Sequence, residues 1–423
     1  MTRLPPLDAA VAGKLARIGR ADVLVGIPSF NNERTVGHVV RAVAAGLAKH
    51  FPDAHAVLVN SDGGSTDRTR EIVERTETGP LEEILVDAAP AAPAARLVAL
   101  YEGVPGKGSA LRTIFRVAAE LEASACCVVD SDLRSITPGW VELLLAPVLR
   151  HGYEFVAPRY ARHRYDGTIT NTIVAPMTRM LFGRRLRQPI GGDFGFSGAL
   201  AARFLEYTEW GGPVAQYGID LFMTGTALAE GRRVCEAFLG AKLHDPKDPA
   251  ADLGPMLSQV VSTLFELMQH YEGVWPEISG SSPVPLFGFP YAVGLDPVPV
   301  RADRLAATFR QGTADLMPVW ETFLSTATLE EVREASRPAA PALGDATWSR
   351  VLFEAAAGWR LKRLPGPQLL AALVPLYLGK VATLVEETRE ATDEEAEARV
   401  TALAEVVEHE KDTLVRMWPV SKY

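Results

Sequence analysis

Short apolar runs alternate with amphipathic segments through the first 150 residues of the chain. Apolar runs bounded by turn-forming residues predict buried strands, and apolar residues at helical spacing between them predict helices. The predicted strands are 23–27, 56–60, 81–86, 97–101 and 126–129, and the predicted helices are 7–19, 34–49, 67–76 and 109–122. This alternation is typical of a doubly wound, mostly parallel α/β sheet.

The pattern changes after residue 150. Two further strands are predicted at 153–158 and 233–239, and helices begin near Thr170 and Tyr217. From about residue 252 the strand signal fades and helical spacing dominates, over 256–271, 305–325, 329–335, 347–361, 368–387 and 394–417. We therefore predict an α/β domain over residues 1–252 and an α-helical C-terminal region over residues 253–423.

Polar segments sit at or near the ends of several predicted strands, at residues 28–33, 60–64, 106–108 and 130–132. In an open α/β sheet, ligands bind in the crevice at the carboxyl ends of the strands. Each segment alone is weak evidence for a binding site. Together they predict one binding crevice to which several strands contribute.

Asp130 and Asp132 come directly after the buried run 126–129. Side chains at i and i+2 of an extended chain point the same way, so the two carboxylates repel unless a cation or a proton lies between them. Carboxylate oxygens suit Mg²⁺ or Mn²⁺. The alternative is that Asp132 or Ser135 caps the helix predicted at 138–149.

Five other residues are candidates for chemistry, and each has a plainer alternative. Asp62, before two glycines, can accept hydrogen bonds from a ring N–H or a ribose hydroxyl, or it can simply shape a turn. Lys107, between two glycines, is suited to phosphate or to solvent. Asp193 and Asp220 are candidate acidic residues near a reacting centre. The plainer alternative for Asp220 is that it merely stabilises the N-terminus of a helix. His244 follows a predicted strand and suits a metal ligand oriented by Asp245, or a structural histidine.

Composition limits the class of protein. A net charge of −9 and a pI near 5.5 argue against nucleic acid as the main partner, although a local basic pocket for an anion stays compatible with them. The three cysteines, Cys126, Cys127 and Cys235, have neither disulfide nor zinc spacing and are expected to be buried thiols. No signal peptide and no membrane span is expected, so we predict a cytoplasmic protein. Neither a P-loop nor a dinucleotide-binding fingerprint matches.

Taken together, the motifs resemble those of GT-A glycosyltransferases, and more narrowly the retaining enzymes that make mannosylglycerate and glucosyl-3-phosphoglycerate. The resemblance covers roughly residues 22–270. The segments that carry it are 27–33, 62–67, 105–108, 130–133, 188–193, 217–220 and 253–260, together with His244. It implies a GT-A fold over the α/β domain, a nucleotide-sugar donor and a divalent metal, Mg²⁺ or Mn²⁺.

The resemblance also implies roles for single residues. Asp132 and His244 would hold the metal on the donor diphosphate, and Asp130 would face the ribose or the sugar. The backbone of Ile190 would lie by the anomeric carbon, Asp193 would bind sugar hydroxyls and Asp220 would stand beside the reacting centre. The residues expected to bind the donor are Pro28, Phe30, Glu33, Asp62, Lys107, Asp130, Ser131, Gln188 and Gly191.

The acceptor region departs from the phosphoglycerate enzymes, whose glycine-rich stretch before the 170s helix carries an arginine. Here residues 166–170 contain none, and the pattern resembles the mannosylglycerate enzymes. This favours unphosphorylated glycerate or another small hydroxy acid as the acceptor. A phosphorylated acceptor is the alternative, because Arg159 and Arg164 lie nearby in the sequence. The predicted acceptor-binding residues are Arg162, Asp166, Gly167 and Thr170.

The expected function is therefore a metal-dependent, retaining transfer of mannose or glucose from a UDP- or GDP-hexose to D-glycerate or a similar acid. Asp193, where the family has glutamate, leaves the hexose undecided. The alternatives are transfer to 3-phosphoglycerate, a lipid phosphate or a polysaccharide, and a nucleotide-sugar-binding protein without activity. The helical tail could cover the acceptor site, pair two subunits in a homodimer, or both.

We expect the substitution Asp132→Ala to abolish metal-dependent transfer, because it removes the carboxylate assigned to the metal. Turnover with Mg²⁺ or Mn²⁺ in the assay is the measurement. A folded variant with wild-type turnover would contradict the metal assignment.

Overall fold

A computed structural model describes residues 9–76, 95–100, 106–243, 249–291, 293–294, 298–338 and 340–418. The chain divides into two compact units. The first, here called the sheet unit, comprises Met1–Ala161, Ile190–Lys247 and Val284–Val293. The second, the helical unit, comprises Arg162–Pro189, Asp248–Pro283 and Gly294–Tyr423.

The elements of the described residues follow in chain order. The strands are β1 Val23–Ser29, β2 Ala56–Asp62, β3 Ala95–Leu100, β4 Ala125–Val128, β5 Phe155–Ala161, β6 Arg184–Arg185, β7 Phe194–Ser197, β8 Val234–Ala241, β9 Ser282–Pro283 and β10 Leu286–Phe287. The helices are α1 Ala9–Ile18, α2 Val36–His50, α3 Thr69–Arg75, α4 Lys107–Glu120, α5 Pro138–His151, α6 Ala175–Phe182, α7 Gly198–Leu205, α8 Ile219–Ala229, α9 Pro249–His270, α10 Ala302–Asp315, α11 Met317–Trp320, α12 Thr326–Ser336, α13 Asp345–Arg360, α14 Gly366–Glu387, α15 Asp393–His409 and α16 Lys411–Met417.

The sheet unit is built on one mixed sheet with the strand order β10-β8-β5-β7-β4-β1-β2-β3. The strand pairs are parallel except at β7, which runs antiparallel to both β4 and β5. The predicted class, a mostly parallel α/β sheet followed by a helical C-terminal region, is confirmed. The predicted strand at 81–86 lies outside the described residues.

Strand β7 was not predicted. Its sequence, Phe-Gly-Phe-Ser, is short, contains a glycine and follows a glycine-rich loop, so it lacks the apolar run that marks a buried strand. Its reversed direction places the residues just before Phe194 at the same edge of the sheet as the carboxyl ends of β4 and β5. That edge is where parallel strands present ligand-binding loops.

The core of the sheet unit follows the predicted pattern. Strands β1 and β2 are buried along their full length, as expected of parallel strands covered on both faces. Helix α2 buries the predicted apolar face, which consists of Val36, Val39, Val40, Val43 and Leu47. The three cysteines are unpaired and buried, and burial raises the pKa of each thiol, so they serve as packing residues.

The helical unit contains the predicted helices, two of them interrupted. The predicted helix 305–325 is broken after Asp315, and α11 begins with Pro318 in its first turn. A proline is tolerated in a first turn, where its missing N–H would have no partner, but not inside a continuous helix. The predicted helix 394–417 is interrupted at Glu410 between α15 and α16.

A buried ion cluster joins three helices of this unit. The Nζ of Lys380 on α14, which is fully buried, donates to the carboxylate of Asp345 at the start of α13 (2.5 Å) and to the Leu343 carbonyl oxygen (3.1 Å). Arg399 on α15 donates to both oxygens of Asp345, at 2.7 and 2.8 Å. This cluster has a structural role, since its hydrogen bonds connect α13, α14 and α15.

Within the described residues, one helix, α14, is long and apolar enough to cross a membrane by length and composition. In its most apolar window, 72% of the residues are buried inside the structure. Such burial is typical of a core helix.

We expect Gly195→Ala to destabilise the protein. An added Cβ would lie 2.0 Å from the backbone carbonyl oxygen of Leu144 on α5, so strand and helix would have to separate. Overpacking of this kind costs about 3 kcal/mol of unfolding free energy, which thermal unfolding would record as a lower Tm. Gly13→Ala in α1 is the matched control, because nothing lies within 4 Å of its added Cβ. Equal Tm values for the two variants would contradict the tight contact.

Candidate active site

The loops that follow β1 and β2 are joined by hydrogen bonds between backbone and side chains. The backbone N–H of Asn31 donates to Ser65 Oγ (2.9 Å), and that of Asn32 donates to Thr69 Oγ1 (2.8 Å). In return, the Asn31 side-chain oxygen accepts from the backbone N–H of Thr66 (2.9 Å). Because these groups bond to one another, the two loops form one ordered surface.

The loop after β4 is tied to the same surface. Ser131 Oγ donates to the side-chain oxygen of Asn32 (2.8 Å), and Thr35 Oγ1 donates to the Ser131 carbonyl oxygen (2.8 Å). The predicted convergence of segments 28–33, 60–64 and 130–132 at one edge of the sheet is therefore observed.

Asp62 is closed to solvent in this structure. Its side chain is 0% exposed, and it accepts hydrogen bonds from Ser29 Oγ (3.1 Å), from Ser65 Oγ (2.6 Å) and from the backbone N–H groups of Gly64 and Ser65. These bonds shape the turn after β2. The outward-facing groups of the two loops include the ring of Phe30, which is 58% exposed, and part of the Glu33 side chain.

Lys107, at the start of α4, contacts two acidic side chains and one backbone carbonyl group from three other parts of the sheet unit. Its Nζ is 2.8 Å from Asp130 Oδ1 and 3.2 Å from Asp220 Oδ1, and it donates to the Gly192 carbonyl oxygen (3.1 Å). Asp220 does sit in the first turn of α8, as the plainer interpretation required, and it also pairs with this lysine. Lys107, Asp130 and Asp220 are thus brought together.

Lys242, which the sequence did not single out, completes this network. Its Nζ donates to Asp130 Oδ2 (2.7 Å), to Asp193 Oδ2 (2.9 Å) and to the Gly191 carbonyl oxygen (2.8 Å). The sequence feature that could have identified Lys242 was its position directly after the carboxyl end of β8. Its partners could not be predicted, because they are 49 or more residues away in the chain.

Asp193 reaches the network because β7 runs antiparallel to its neighbours. Its side chain is 0% exposed. One oxygen accepts from the backbone N–H of Asp130 (2.7 Å), and the other accepts from Lys242 and from the hydroxyl of Tyr160 on β5. Both oxygens are therefore engaged by protein groups, whereas Ile190 earlier in the loop is partly exposed.

The charges of the network stabilise one another. Burial alone would raise the pKa of Asp130, but Lys107 and Lys242 outweigh it and hold that pKa well below its usual range. Burial opposes the charge on Lys107, but Asp130 and Asp220 raise the pKa of its ammonium above the ordinary value. For Asp193, burial is the largest effect and raises the pKa despite the ammonium of Lys242. Lys107 and Asp130 are consequently charged at neutral pH.

Asp132 is the metal candidate among the described residues. Asp130 has a lysine on each of its oxygens, and the role of Asp132 as a cation ligand stays a prediction. The N-cap residue of α5 is Thr137, so the alternative interpretation, in which Asp132 or Ser135 caps this helix, is wrong. The part of the chain that the structure describes holds no group of three or more histidine, cysteine or acidic side chains suited to a metal.

His244 and Asp245 lie outside the described residues. A carboxylate and an imidazole would fit Mn²⁺ or Mg²⁺ with the remaining positions taken by phosphate oxygens and water, as is usual for Mg²⁺ beside nucleotides.

The predicted acceptor-binding residues lie together in the helical unit. Arg162 Nε is 3.9 Å from Asp166 Oδ2. Gly167 has a positive φ of 71°, and a Cβ there would be 3.2 Å from the Arg162 guanidinium and 3.7 Å from Thr170 Oγ1. Thr170 is buried and begins a π-helical turn, Thr170–Val174, a feature often found at functional sites. We call these four residues the Arg162 cluster.

The C-terminal helices hold the segment that carries this cluster. Arg164 donates to the Thr388 carbonyl oxygen (3.0 Å) and to the carboxylate of Asp393 (3.0 Å). Further contacts of the same kind join Thr168 to the Tyr377 hydroxyl (2.5 Å) and the Trp348 indole N–H to the Thr172 carbonyl oxygen (2.7 Å). Arg164 is therefore engaged in anchoring its own loop to α14 and α15.

The other predicted donor residues are buried. Pro28 is buried in β1, and Ser131 is buried in the loop after β4. Gln188 belongs to the helical unit and is buried, whereas Gly191 lies in the sheet unit beside Lys242. Their roles stay predictions.

Similar solved structures include glucosyl-3-phosphoglycerate synthase from Mycobacterium tuberculosis. The complex of that enzyme with Mn²⁺, UDP and phosphoglyceric acid is 22% identical, with a TM-score of 0.44 over 63% of this chain and 84% of that chain. Its complex with Mn²⁺, UDP-glucose and phosphoglyceric acid is 22% identical, with a TM-score of 0.44 over 64% and 86%. A third structure of the enzyme is 25% identical, with a TM-score of 0.43 over 60% and 84%.

No curated protein matches the chain. Residues 24–208, less than half of the chain, match the family model described as Glycosyl transferase family 2. The matched range includes the loops after β1, β2 and β4, together with Lys107 and Asp193, whereas Asp220 and Lys242 lie beyond it. Residues 24–208 are thus similar to glycosyl transferase family 2 domains, and they contribute most strands of the mostly parallel α/β sheet that was predicted.

Proposed function

We propose that this protein is a retaining glycosyltransferase that moves mannose or glucose from a UDP- or GDP-hexose to D-glycerate or a similar small hydroxy acid. The observation that carries the proposal is the convergence of Lys107, Asp130, Asp193 and Asp220 at the carboxyl edge of the sheet of a glycosyl transferase family 2 domain. Edges of this kind bind nucleotides in open α/β sheets.

In this proposal the donor nucleotide lies on the joined loops of β1, β2 and β4. Phe30 and Glu33 face outward and are available to the base, while Asp62 keeps the turn in shape from within. Asp132 and His244 would hold Mg²⁺ or Mn²⁺. Such a cation, when bound, adds positive charge that favours departure of the diphosphate.

Lys107 favours the same bond breakage from the protein side. Its side chain is 15% exposed and its ammonium is held by Asp130 and Asp220, so the charge is already placed before the diphosphate develops negative charge. Preorganised charge of this type needs no rearrangement during the reaction. The sugar becomes oxocarbenium-like, and the carboxylate of Asp220 can stabilise its positive charge. Retention follows from attack on the leaving-group face, with a diphosphate oxygen accepting the proton of the acceptor hydroxyl.

The Arg162 cluster is the proposed acceptor site. Arg162 would pair with the carboxylate of the acceptor, while Asp166 and Thr170 would bind its hydroxyl groups. The two other arginines that could have met a phosphate are otherwise engaged. Arg164 anchors its loop to the C-terminal helices, and Arg159 is 3.8 Å from the buried Glu236. This supports an unphosphorylated acceptor.

A panel of donors and acceptors tests the proposal. UDP-glucose, UDP-mannose, GDP-glucose and GDP-mannose are each incubated with Mg²⁺ or Mn²⁺ and with glycerate, 3-phosphoglycerate or lactate, and products are identified by mass. We expect a hexosyl glycerate. Product from 3-phosphoglycerate alone would move the assignment to the phosphorylated acceptor. Nucleotide-sugar binding without transfer or hydrolysis would indicate a non-catalytic binding protein.

We expect Arg162→Ala to raise the KM for the acceptor roughly 10- to 100-fold, because a charge-assisted hydrogen bond to a carboxylate is lost. Hydrolysis of the donor in the absence of acceptor should keep its wild-type rate. Initial rates over a range of acceptor concentrations measure both effects. The control is Arg337→Ala in the same unit, since the Arg337 side chain is exposed and pairs with nearby Glu334. An unchanged acceptor KM in Arg162→Ala would exclude this acceptor site.

A further inference from the structure

We propose that Lys242 is a positioning residue that fixes the Gly191–Gly192 backbone and Asp193 against the end of β4. It acts through these groups and does not bind the substrate itself. The proposal rests on the proposed function, since the positioned loop is the one assigned to the sugar of the donor.

The hydrogen-bonding capacity of Lys242 supports this role. An ammonium group has three N–H donors, and that of Lys242 has three acceptors at 2.7, 2.8 and 2.9 Å, on Asp130, Gly191 and Asp193. The side chain is only 8% exposed. Its donors are therefore used within the protein.

The two lysines hold successive carbonyl groups of the same loop. Lys242 binds the Gly191 carbonyl oxygen, and Lys107 binds that of Gly192 (3.1 Å). Each lysine also takes one oxygen of Asp130. The peptide groups that precede Asp193 are thus held between two ammonium groups whose own positions are set by one carboxylate.

The glycines of the loop show how closely it approaches the network. A Cβ at Gly192, where φ is 92°, would lie 2.1 Å from Asp130 Oδ2 and 2.6 Å from Lys242 Nζ. A Cβ at Gly191 would lie 2.5 Å from a side-chain carbon of Pro158. The loop backbone is in direct contact with Asp130 and Lys242, so a substitution at Lys242 should directly alter the position of the loop.

The variants Lys242→Met and Lys242→Arg test the proposal, with Lys14→Met on the exposed face of α1 as the control. We expect Lys242→Met to lower kcat about 100-fold and to change the donor KM by less than about threefold, because misplaced groups slow the chemical step more than they weaken binding. Lys242→Arg keeps the charge but not the geometry of an ammonium, so its kcat should lie between that of Lys242→Met and that of wild type. A purely structural role would lower the amount of folded protein and leave kcat per folded molecule unchanged.

Hydrogen exchange supplies a readout that is independent of activity. Amides of residues 190–194 should exchange faster in Lys242→Met than in wild type, and at the wild-type rate in Lys14→Met. Unchanged exchange there, or a wild-type kcat, would overturn the proposal. If Lys242→Met does not fold, the same two measurements on Lys242→Arg decide. If wild type transfers no sugar from any donor, the proposed function fails, and the exchange data still test whether Lys242 fixes the loop.

Discussion

The sheet unit depends on the neutralisation of buried carboxylates at the carboxyl edge of its sheet. Asp193 is fully removed from water and Asp130 is largely so, which is costly for a charged group without a partner. Their partners come from the start of α4 and from the end of β8, on opposite sides of β4 in the chain. Removing one partner of a buried pair costs about 3–5 kcal/mol. The native strand order brings these charges together, so the arrangement that builds the site also stabilises the fold.

One reversed strand determines which residues reach this edge. Because β7 is antiparallel to β4 and β5, the loop in front of it ends where its neighbours' carboxyl ends lie. A parallel strand in the same position would have carried Asp193 to the opposite edge, away from Lys242. The backbone bond from Asp130 to Asp193 and the bond from Tyr160 to Asp193 then join β4, β5 and the loop before β7. The glycine-rich loop is therefore part of the sheet's hydrogen-bonded structure.

The features that could be predicted from the sequence are those that depend on the local pattern of apolar and polar residues. The buried strands β1 and β2 and the apolar face of α2 follow from the spacing of apolar residues, and the convergence of the loops follows from their position after parallel strands. Strand β7 escaped prediction because it is short and contains a glycine. Lys242 escaped because its role depends on a pairing with Asp130 that spans 112 residues. The closure of Asp62 likewise depends on which neighbours satisfy its oxygens, which spacing alone does not specify.

The same charges explain why Asp130 and Asp132, two residues apart, are suited to different tasks. Asp130 already has an ammonium on each oxygen, so a cation placed there would meet like charge. Among the six side chains Lys107, Lys242, Asp130, Asp132, Asp193 and Asp220, four carboxylates against two ammonium groups leave a formal charge of −2. A divalent cation, if held by Asp132, would supply positive charge that balances that excess. Asp130 is therefore better understood as an internal counter-ion, and of this pair only Asp132 is proposed as a cation ligand.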